Sequence, residues 1–228
     1  MKLCIIPARG GSKRIPKKNI RFFCGKPIIE WSINAALNSE CFDKIIVSTD
    51  DDEISNFSKN CGVEVPFVRP TNLSDDLTAT TPVINHAINF FRKKKEFFDY
   101  VCCIYATAPF IEPYYIKKGL SQLIDYDANY AFSATSFPFP IQRAIKLTNR
   151  NRSKMFFPDS FNKRSQDLED SFHDAGQFYW GKTSAWLENK RIFDDNSIPV
   201  IIPRYKVQDI DNEEDWKRAE LMFKSLSK

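Results

Sequence analysis

Glycine is scarce in this chain, seven residues in 228, and phenylalanine abundant, at twenty, so the interior is expected to pack through aromatic side chains. No apolar run approaches the ~20 residues needed to cross a bilayer, which removes a membrane-spanning helix from consideration. The six cysteines, at 4, 24, 41, 61, 102 and 103, form no C-x-x-C pair and stand at no zinc spacing from a histidine. Free thiols in a reducing compartment are therefore expected. The chain opens on a strand-like run with no secretory segment before it, and a cytoplasmic location is expected. A G-x-x-x-x-G-K-[ST] loop is absent, as is a G-x-G-x-x-G leading straight into a helix. The D-x-D-x-[TV] pattern of an aspartyl phosphatase nucleophile is missing as well. Charge is nearly balanced: 33 basic and 29 acidic side chains leave +4. That is too little to argue for nucleic acid, and it suits a small anionic substrate equally well.

What is present starts at the first strand. Leu3 to Ile6 is a short apolar run that reads as a buried strand. It opens into Pro7-Ala8-Arg9-Gly10-Gly11-Ser12-Lys13-Arg14-Ile15-Pro16-Lys17-Lys18-Asn19, a loop with adjacent glycines and five cations. Glycine lets backbone N–H groups come close to a phosphate, and Arg9, Lys13 and Lys18 can neutralise a polyphosphate from different sides.

The rest of the chain alternates. Helical spacing covers 27–38, a strand 43–49, and a helix opens at Asp50-Asp51-Asp52-Glu53 and runs to Asn60. A third strand is expected over 63–68, interrupted by Pro66. The polar loop 69–81 follows, then a helix from Pro82 to Lys95 in which His86 reads as a satisfied structural side chain. Further strands are expected over 99–105, 129–136 and 198–202, with a helix over 113–126 between the first two. Residues 137–172 break the alternation and read as a hairpin-bearing excursion. Near the end, Asp209 and Asp211 flank Ile210, so both carboxylates of an extended segment face one side, as oxygen ligands for Mg²⁺ beside phosphates do. Asp211 is also an expected N-cap, with Glu214 closing a capping box. The whole pattern predicts an α/β fold: a mostly parallel, mixed sheet with helices on both faces, and a ligand crevice at the carboxyl ends of the strands.

Pro7 to Lys13, Lys18-Asn19 and Phe23-Cys24-Gly25-Lys26-Pro27 together resemble the signature of the CMP-sialic acid synthetase family, cytidylyltransferases that activate nine-carbon 2-keto sugar acids. The resemblance covers nearly the whole chain. It implies a nucleotide-diphospho-sugar transferase fold over residues 1–228 as a single domain, with 137–172 as an inserted dimerisation arm. It implies CTP and a nonulosonic acid as substrates, Mg²⁺ as cofactor, a homodimer, and no nucleic-acid or membrane partner. By the same resemblance the nucleotide contacts fall on Ala8, Arg9, Gly10, Gly11, Ser12, Lys13, Lys18, Asn19, Asp50, Arg69 and Thr80. Arg9, Lys18 and Asp209 are the expected catalytic residues, and Asp209 and Asp211 the expected metal ligands.

Two stretches depart from the sialic acid pattern. Tyr105-Ala106-Thr107-Ala108-Pro109 carries tyrosine where the family has a sugar-reading glutamine. His173-Asp174-Ala175-Gly176-Gln177-Phe178-Tyr179-Trp180-Gly181 is longer than the family's counterpart and looks like the branch that activates pseudaminic acid for surface-glycan or flagellin glycosylation. The expected sugar contacts are Tyr105, Thr107, Arg143, Arg164, Gln166, His173, Asp174, Gln177 and Tyr179, with Lys146 and Lys163 as further basic candidates on the arm. The alternatives are a cytidylyltransferase for N-acetylneuraminic, legionaminic or 3-deoxyoctulosonic acid, and a metal-dependent glycosyltransferase.

Overall fold

The computed structural model describes residues 1–226. Its strands are β1 (Lys2–Pro7), β2 (Phe22–Phe23), β3 (Lys26–Pro27), β4 (Lys44–Ser48), β5 (Tyr100–Ile104), β6 (Tyr130–Ser136), β7 (Ile145–Leu147), β8 (Ser153–Met155), β9 (Phe172–Lys182) and β10 (Ser197–Ile201). Its helices are α1 (Ile28–Ser39), α2 (Asp52–Asn60), α3 (Thr80–Lys93), α4 (Pro113–Asp125), α5 (Thr183–Leu187) and α6 (Glu213–Leu226). Six strands form the main sheet in the order β10-β6-β9-β5-β1-β4. Every pairing in it is parallel except those of β9, which runs antiparallel between β5 and β6.

Side chains alternate across this sheet, as the two-residue period of a strand requires. Cys4, Ile6, Cys102 and Ile104 face one side, where they pack with Ile29 and Ile33 of α1, Ile54 of α2 and Ile116 and Leu123 of α4. Leu3, Ile5, Val101 and Cys103 face the other, against Ile84, Ala87, Ile88 and Phe91 of α3 and Trp186 of α5. Both faces are covered, which is why β1 and β5 read as continuous apolar runs. All six cysteines are free thiols.

A third cluster positions the site. Ile15, Phe23, Ile28, Phe110, Ile210, Trp216 and Ala219 pack together, so α6 is fastened onto the loop that follows β1. Phe23 meets Trp216 and Phe223 edge-on, each at 5.5 Å. Ile210 is fully buried in this cluster, which holds its two neighbours, Asp209 and Asp211, beside the basic loop.

Several expectations change. Residues 63–68 form no strand. They touch β4 and the residue after it through isolated bridges, Ile46 with Glu64 and Thr49 with Val68, because Pro66 cannot donate to a ladder. Helix α2 is capped by Asp51, whose carboxylate accepts from the Ile54 N–H at 2.9 Å. His86 packs edge-on against Phe67, and its Nδ1 has no partner among the described residues. Burial holds its pKa below the usual histidine value, so it stays neutral. The excursion between β6 and β9 does form a hairpin, from β7 and β8.

The capping box at α6 sits one residue later than expected. Asn212 Oδ1 accepts from the Asp215 N–H at 3.0 Å, and Asp215 Oδ2 accepts from the N–H groups of Asp211 and Asn212. Asp211 is thereby released from capping. Asn212→Ala should cost about 1 kcal/mol of stability in chemical denaturation, and Asp211→Ala should show no loss of this kind.

Candidate active site

The carboxyl ends of β1 and β5, the loop after β1, residues 69–80 and the segment before α6 enclose a cleft of about 490 Å³. Its cationic wall is Arg9, Lys13, Arg14, Lys18 and Arg69, and facing it are Asp75, Asp76 and Asp211. Thr80, Tyr105 and Thr107 line it from the sheet side.

The cations are already paired with carboxylates of the protein. Arg9 Nη2 lies 2.8 Å from Asp76 Oδ1, and Lys13 Nζ lies 2.5 Å from Asp76 Oδ2. Arg9 also donates to the Asp75 carbonyl. These pairs are open to solvent and cheap to exchange, so a phosphate can replace the Asp76 carboxylate on the same two cations. Lys18 differs. Only 19 % of its side chain is exposed, it donates to the Ile210 carbonyl at 2.7 Å, and its Nζ stands 3.8 Å from Asp211 Oδ1. Burial lowers the Lys18 pKa, and the charges of Asp211 and Asp209 push the other way. Asn19 is also fixed, donating to the Arg9 carbonyl at 2.9 Å.

Gly10 is needed for a reason the sequence did not suggest. A Cβ there would stand 2.6 Å from Asp51 Oδ2, and the Gly10 N–H donates to Asp50 Oδ1 at 3.1 Å. Its amide is thus committed to the start of α2 and is not free for a phosphate. Gly11 faces open space, and Ser12 is the loop residue beside the cations that lines the cleft. Ala8 continues β1 and is buried. Asp50 stands behind the cleft, 3.6 Å from Arg69 Nη2. Arg69 is 4 % exposed, and its Nη2 has no hydrogen-bond partner, so a charged donor is held ready for an acceptor. Burial lowers its pKa, opposed by Asp50.

Asp211 lines the cleft, and Asp209, two residues before it, is near enough to feel its charge. The Asp209 carboxyl is pushed up, first by burial and then by the charge of Asp211. Arg14 Nη2 pairs with Asp211 Oδ1 at 3.0 Å and relieves part of that repulsion. Two crowded carboxylates with hard oxygen atoms fit Mg²⁺. Among the described residues no cluster of three His, Cys, Asp or Glu side chains could hold a metal alone, so phosphate oxygens would have to complete such a site.

The expected sugar contacts divide. Tyr105 and Thr107 line the cleft. Tyr179 is 3 % exposed and lies behind Tyr105, donating to Asp174 Oδ2 at 2.5 Å. Gln177 is buried too: its Nε2 donates to the Lys206 carbonyl at 2.8 Å, and its Oε1 has no partner. His173 is exposed, with its ring against Phe137 at 4.7 Å. The arm residues are not brought to this cleft within one chain. Arg143 binds the Phe161 and Lys163 carbonyls, Arg164 pairs with Asp167 at 2.7 Å, and Gln166 is exposed in a turn. Sequence reading missed Arg14, Asp75 and Asp76. Arg14 was one of five cations with nothing to single it out, and the two aspartates sat in a loop of unknown path.

Residues 3–179 match the family model described as cytidylyltransferase. The chain is 46 % identical over 222 residues to a pseudaminic acid cytidylyltransferase of Campylobacter jejuni, covering 97 % of this chain and 96 % of that one. It is 30 % identical over 231 residues to a CMP-N,N'-diacetyllegionaminic acid synthase of Legionella pneumophila, at 97 % and 95 % coverage. A solved CMP:2-keto-3-deoxy-manno-octonic acid synthetase complexed with CTP superposes with a TM-score of 0.72 over 99 % of both chains at 15 % identity, a likeness of fold.

Lys18→Ala should leave the fold intact by circular dichroism and lower turnover of the enzyme by on the order of 10²-fold or more, since it removes a half-buried charge from the anion side of the cleft.

Proposed function

This chain belongs to the cytidylyltransferase family, and from that premise we propose that it transfers CMP from CTP to pseudaminic acid and releases pyrophosphate. The choice of acid sugar is carried by likeness, over nearly the whole length of both chains, to a relative of that specificity. Tyr105 at the cleft, where sialic acid synthetases place glutamine, supports it.

The sugar's anomeric hydroxyl attacks the α-phosphorus in line and gives up its proton to solvent, while the bond from that phosphorus to the α–β bridging oxygen breaks and pyrophosphate leaves with the electron pair. This chemistry needs positioning and charge stabilisation above all. Arg9 and Lys13 exchange Asp76 for phosphate oxygens, and Lys18 and Arg14 hold charge beside Asp211. Arg69, whose Nη2 makes an ion pair with Asp50 at 3.6 Å but no hydrogen bond, offers a donor to the nucleotide. Asp209 and Asp211 would hold Mg²⁺, which when bound supplies Lewis-acid polarisation of a phosphate oxygen. No side chain in the cleft stands out as an independent general base.

The arm exposes Phe139, Ile145, Leu147 and Phe161, apolar side chains that a second copy would cover. In a homodimer formed there, Arg143, Lys146, Lys163, Arg164 and Gln166 would reach the neighbouring cleft. No helix among the described residues is long and apolar enough to cross a membrane, and the reading places the enzyme in the cytoplasm, where CTP is made.

The substrate assignment is tested by comparing kcat/KM for pseudaminic and N-acetylneuraminic acids at saturating CTP and Mg²⁺. Pseudaminic acid should be preferred by on the order of 10²-fold or more. Equal values, or a preference for N-acetylneuraminic acid, would remove the role given to Tyr105. Asp209→Ala should abolish turnover at any Mg²⁺ concentration; a normal Mg²⁺ response would make that carboxylate structural.

A further inference from the structure

Arg69 is the most deeply buried cation of the cleft, and it is held differently from the others. Its N–H donates to the Thr49 carbonyl at 2.8 Å, just past the end of β4. Its Nε donates to Ser74 Oγ at 3.2 Å. Its Nη2 is enclosed and makes no hydrogen bond, and its counter-charge is Asp50 Oδ1 at 3.6 Å. The same Asp50 oxygen accepts the Gly10 N–H at 3.1 Å. One carboxylate oxygen thus meets both the loop after β1 and the guanidinium that opens the loop 69–80.

Asp50 is fixed in place by its neighbours. On one side Thr49 Oγ1 accepts the Asp51 N–H at 3.1 Å, and on the other Asp51 caps α2 through the Ile54 N–H at 2.9 Å. Asp51 does the capping, so the Asp50 carboxylate is spared for other partners. Gly10 presses on the same corner, where a Cβ would stand 2.6 Å from Asp51 Oδ2. Asp50 is not among the residues that line the cleft; it stands behind Arg69.

Two kinds of counter-ion therefore serve one cleft. Asp76, on an open loop, balances Arg9 and Lys13 and is readily displaced. Asp50 is built into the corner between β4 and α2 and stays. A guanidinium balanced by a fixed carboxylate gains little from a phosphate, because the incoming anion must approach the resident one. Remove the carboxylate and the same guanidinium becomes an uncompensated buried charge, the kind most in need of an anion. Burial and the charge of Arg9 both bear against the charged form of Arg69, and Asp50 opposes them. Resting on the cytidylyltransferase reading of this cleft, we propose that Asp50 is the permanent counter-ion of Arg69, denying that guanidinium to phosphate and directing the polyphosphate to Arg9 and Lys13. Asp50 is a positioning residue in this scheme, acting through Arg69. Arg69 is left with a directed N–H donor for an uncharged acceptor of the ligand, and a nucleotide whose phosphates settled on it would be bound out of register.

The test measures affinities for inorganic pyrophosphate and for CTP by calorimetry at one ionic strength. It compares the unsubstituted protein with Asp50→Asn, Arg69→Met and the double variant. Asparagine keeps an oxygen acceptor for the Gly10 N–H and removes only the charge. Asp50→Asn should tighten pyrophosphate binding by about 10-fold, and the double variant should lose that gain. Arg69→Met should leave pyrophosphate affinity within about two-fold and weaken CTP by about 10-fold. Unchanged pyrophosphate affinity in folded Asp50→Asn overturns the proposal. So does a gain that persists in the double variant, which would be a general effect of net charge, or an Arg69→Met that weakens pyrophosphate as much as CTP. Should Asp50→Asn fail to fold by circular dichroism, the pyrophosphate-against-CTP comparison in Arg69→Met decides alone. An unsubstituted protein that binds CTP and converts no acid sugar would count against the proposed reaction only, since these affinities need no turnover. One that binds neither CTP nor pyrophosphate would overturn the cytidylyltransferase reading and this inference with it.

Discussion

The hydrogen bond from Lys18 to the Ile210 carbonyl joins two segments 192 residues apart, and the cleft depends on that junction. One segment brings the cations that follow β1. The other brings Asp209 and Asp211. Neither is a site alone: cations without carboxylates would make an anion trap, and the carboxylates without cations would repel each other. The junction is held from below by apolar packing, with Ile210 sunk among Ile15, Phe23 and Trp216. Hydrophobic burial thus fixes an electrostatic arrangement. A charge-assisted bond to a carbonyl in a half-buried setting contributes on the order of 1.5–3 kcal/mol, enough to hold the two ends in register.

The cleft is balanced in charge before any ligand arrives. Asp76 bridges Arg9 and Lys13, and Asp211 engages Arg14 and Lys18. These neutralising partners sit on separate elements, one on a solvent-exposed loop and one beside the anchored Ile210. The loop partner exchanges easily, whereas the anchored partner stays. That division lets a polyphosphate enter on the Arg9–Lys13 side without dismantling the pair of carboxylates on the other.

Much of this was legible in the sequence, and the reasons are physical. The apolar runs at 3–6 and 101–104 are strands buried on both faces, which leave a continuous signal. The cation-rich loop and the Asp-Ile-Asp segment are short and dense in charge, so they stand out without coordinates, and the fold brings the loop cations and Asp211 to one cleft. What was hidden depended on pairings between distant residues. The N-cap of α6 moved from Asp211 to Asn212 because Asp215, not Glu214, points back along the chain. Residues 63–68 have strand composition, but Pro66 leaves them as bridges. Gly10 reads as a phosphate glycine, while its amide serves Asp50. Tyr179 reads as a sugar contact from its motif, and only its register opposite Cys103 on β5 puts it behind Tyr105.

The central claim is that this cleft joins CMP to an acid sugar. Enzyme incubated with CTP, Mg²⁺ and pseudaminic acid, with products weighed by mass spectrometry and pyrophosphate measured in parallel, tests it most directly. The account predicts a product with the summed mass of CMP and pseudaminic acid less water, formed in step with an equal amount of pyrophosphate. Pyrophosphate with free CMP and unmodified sugar, or no consumption of CTP by a folded protein, would contradict it.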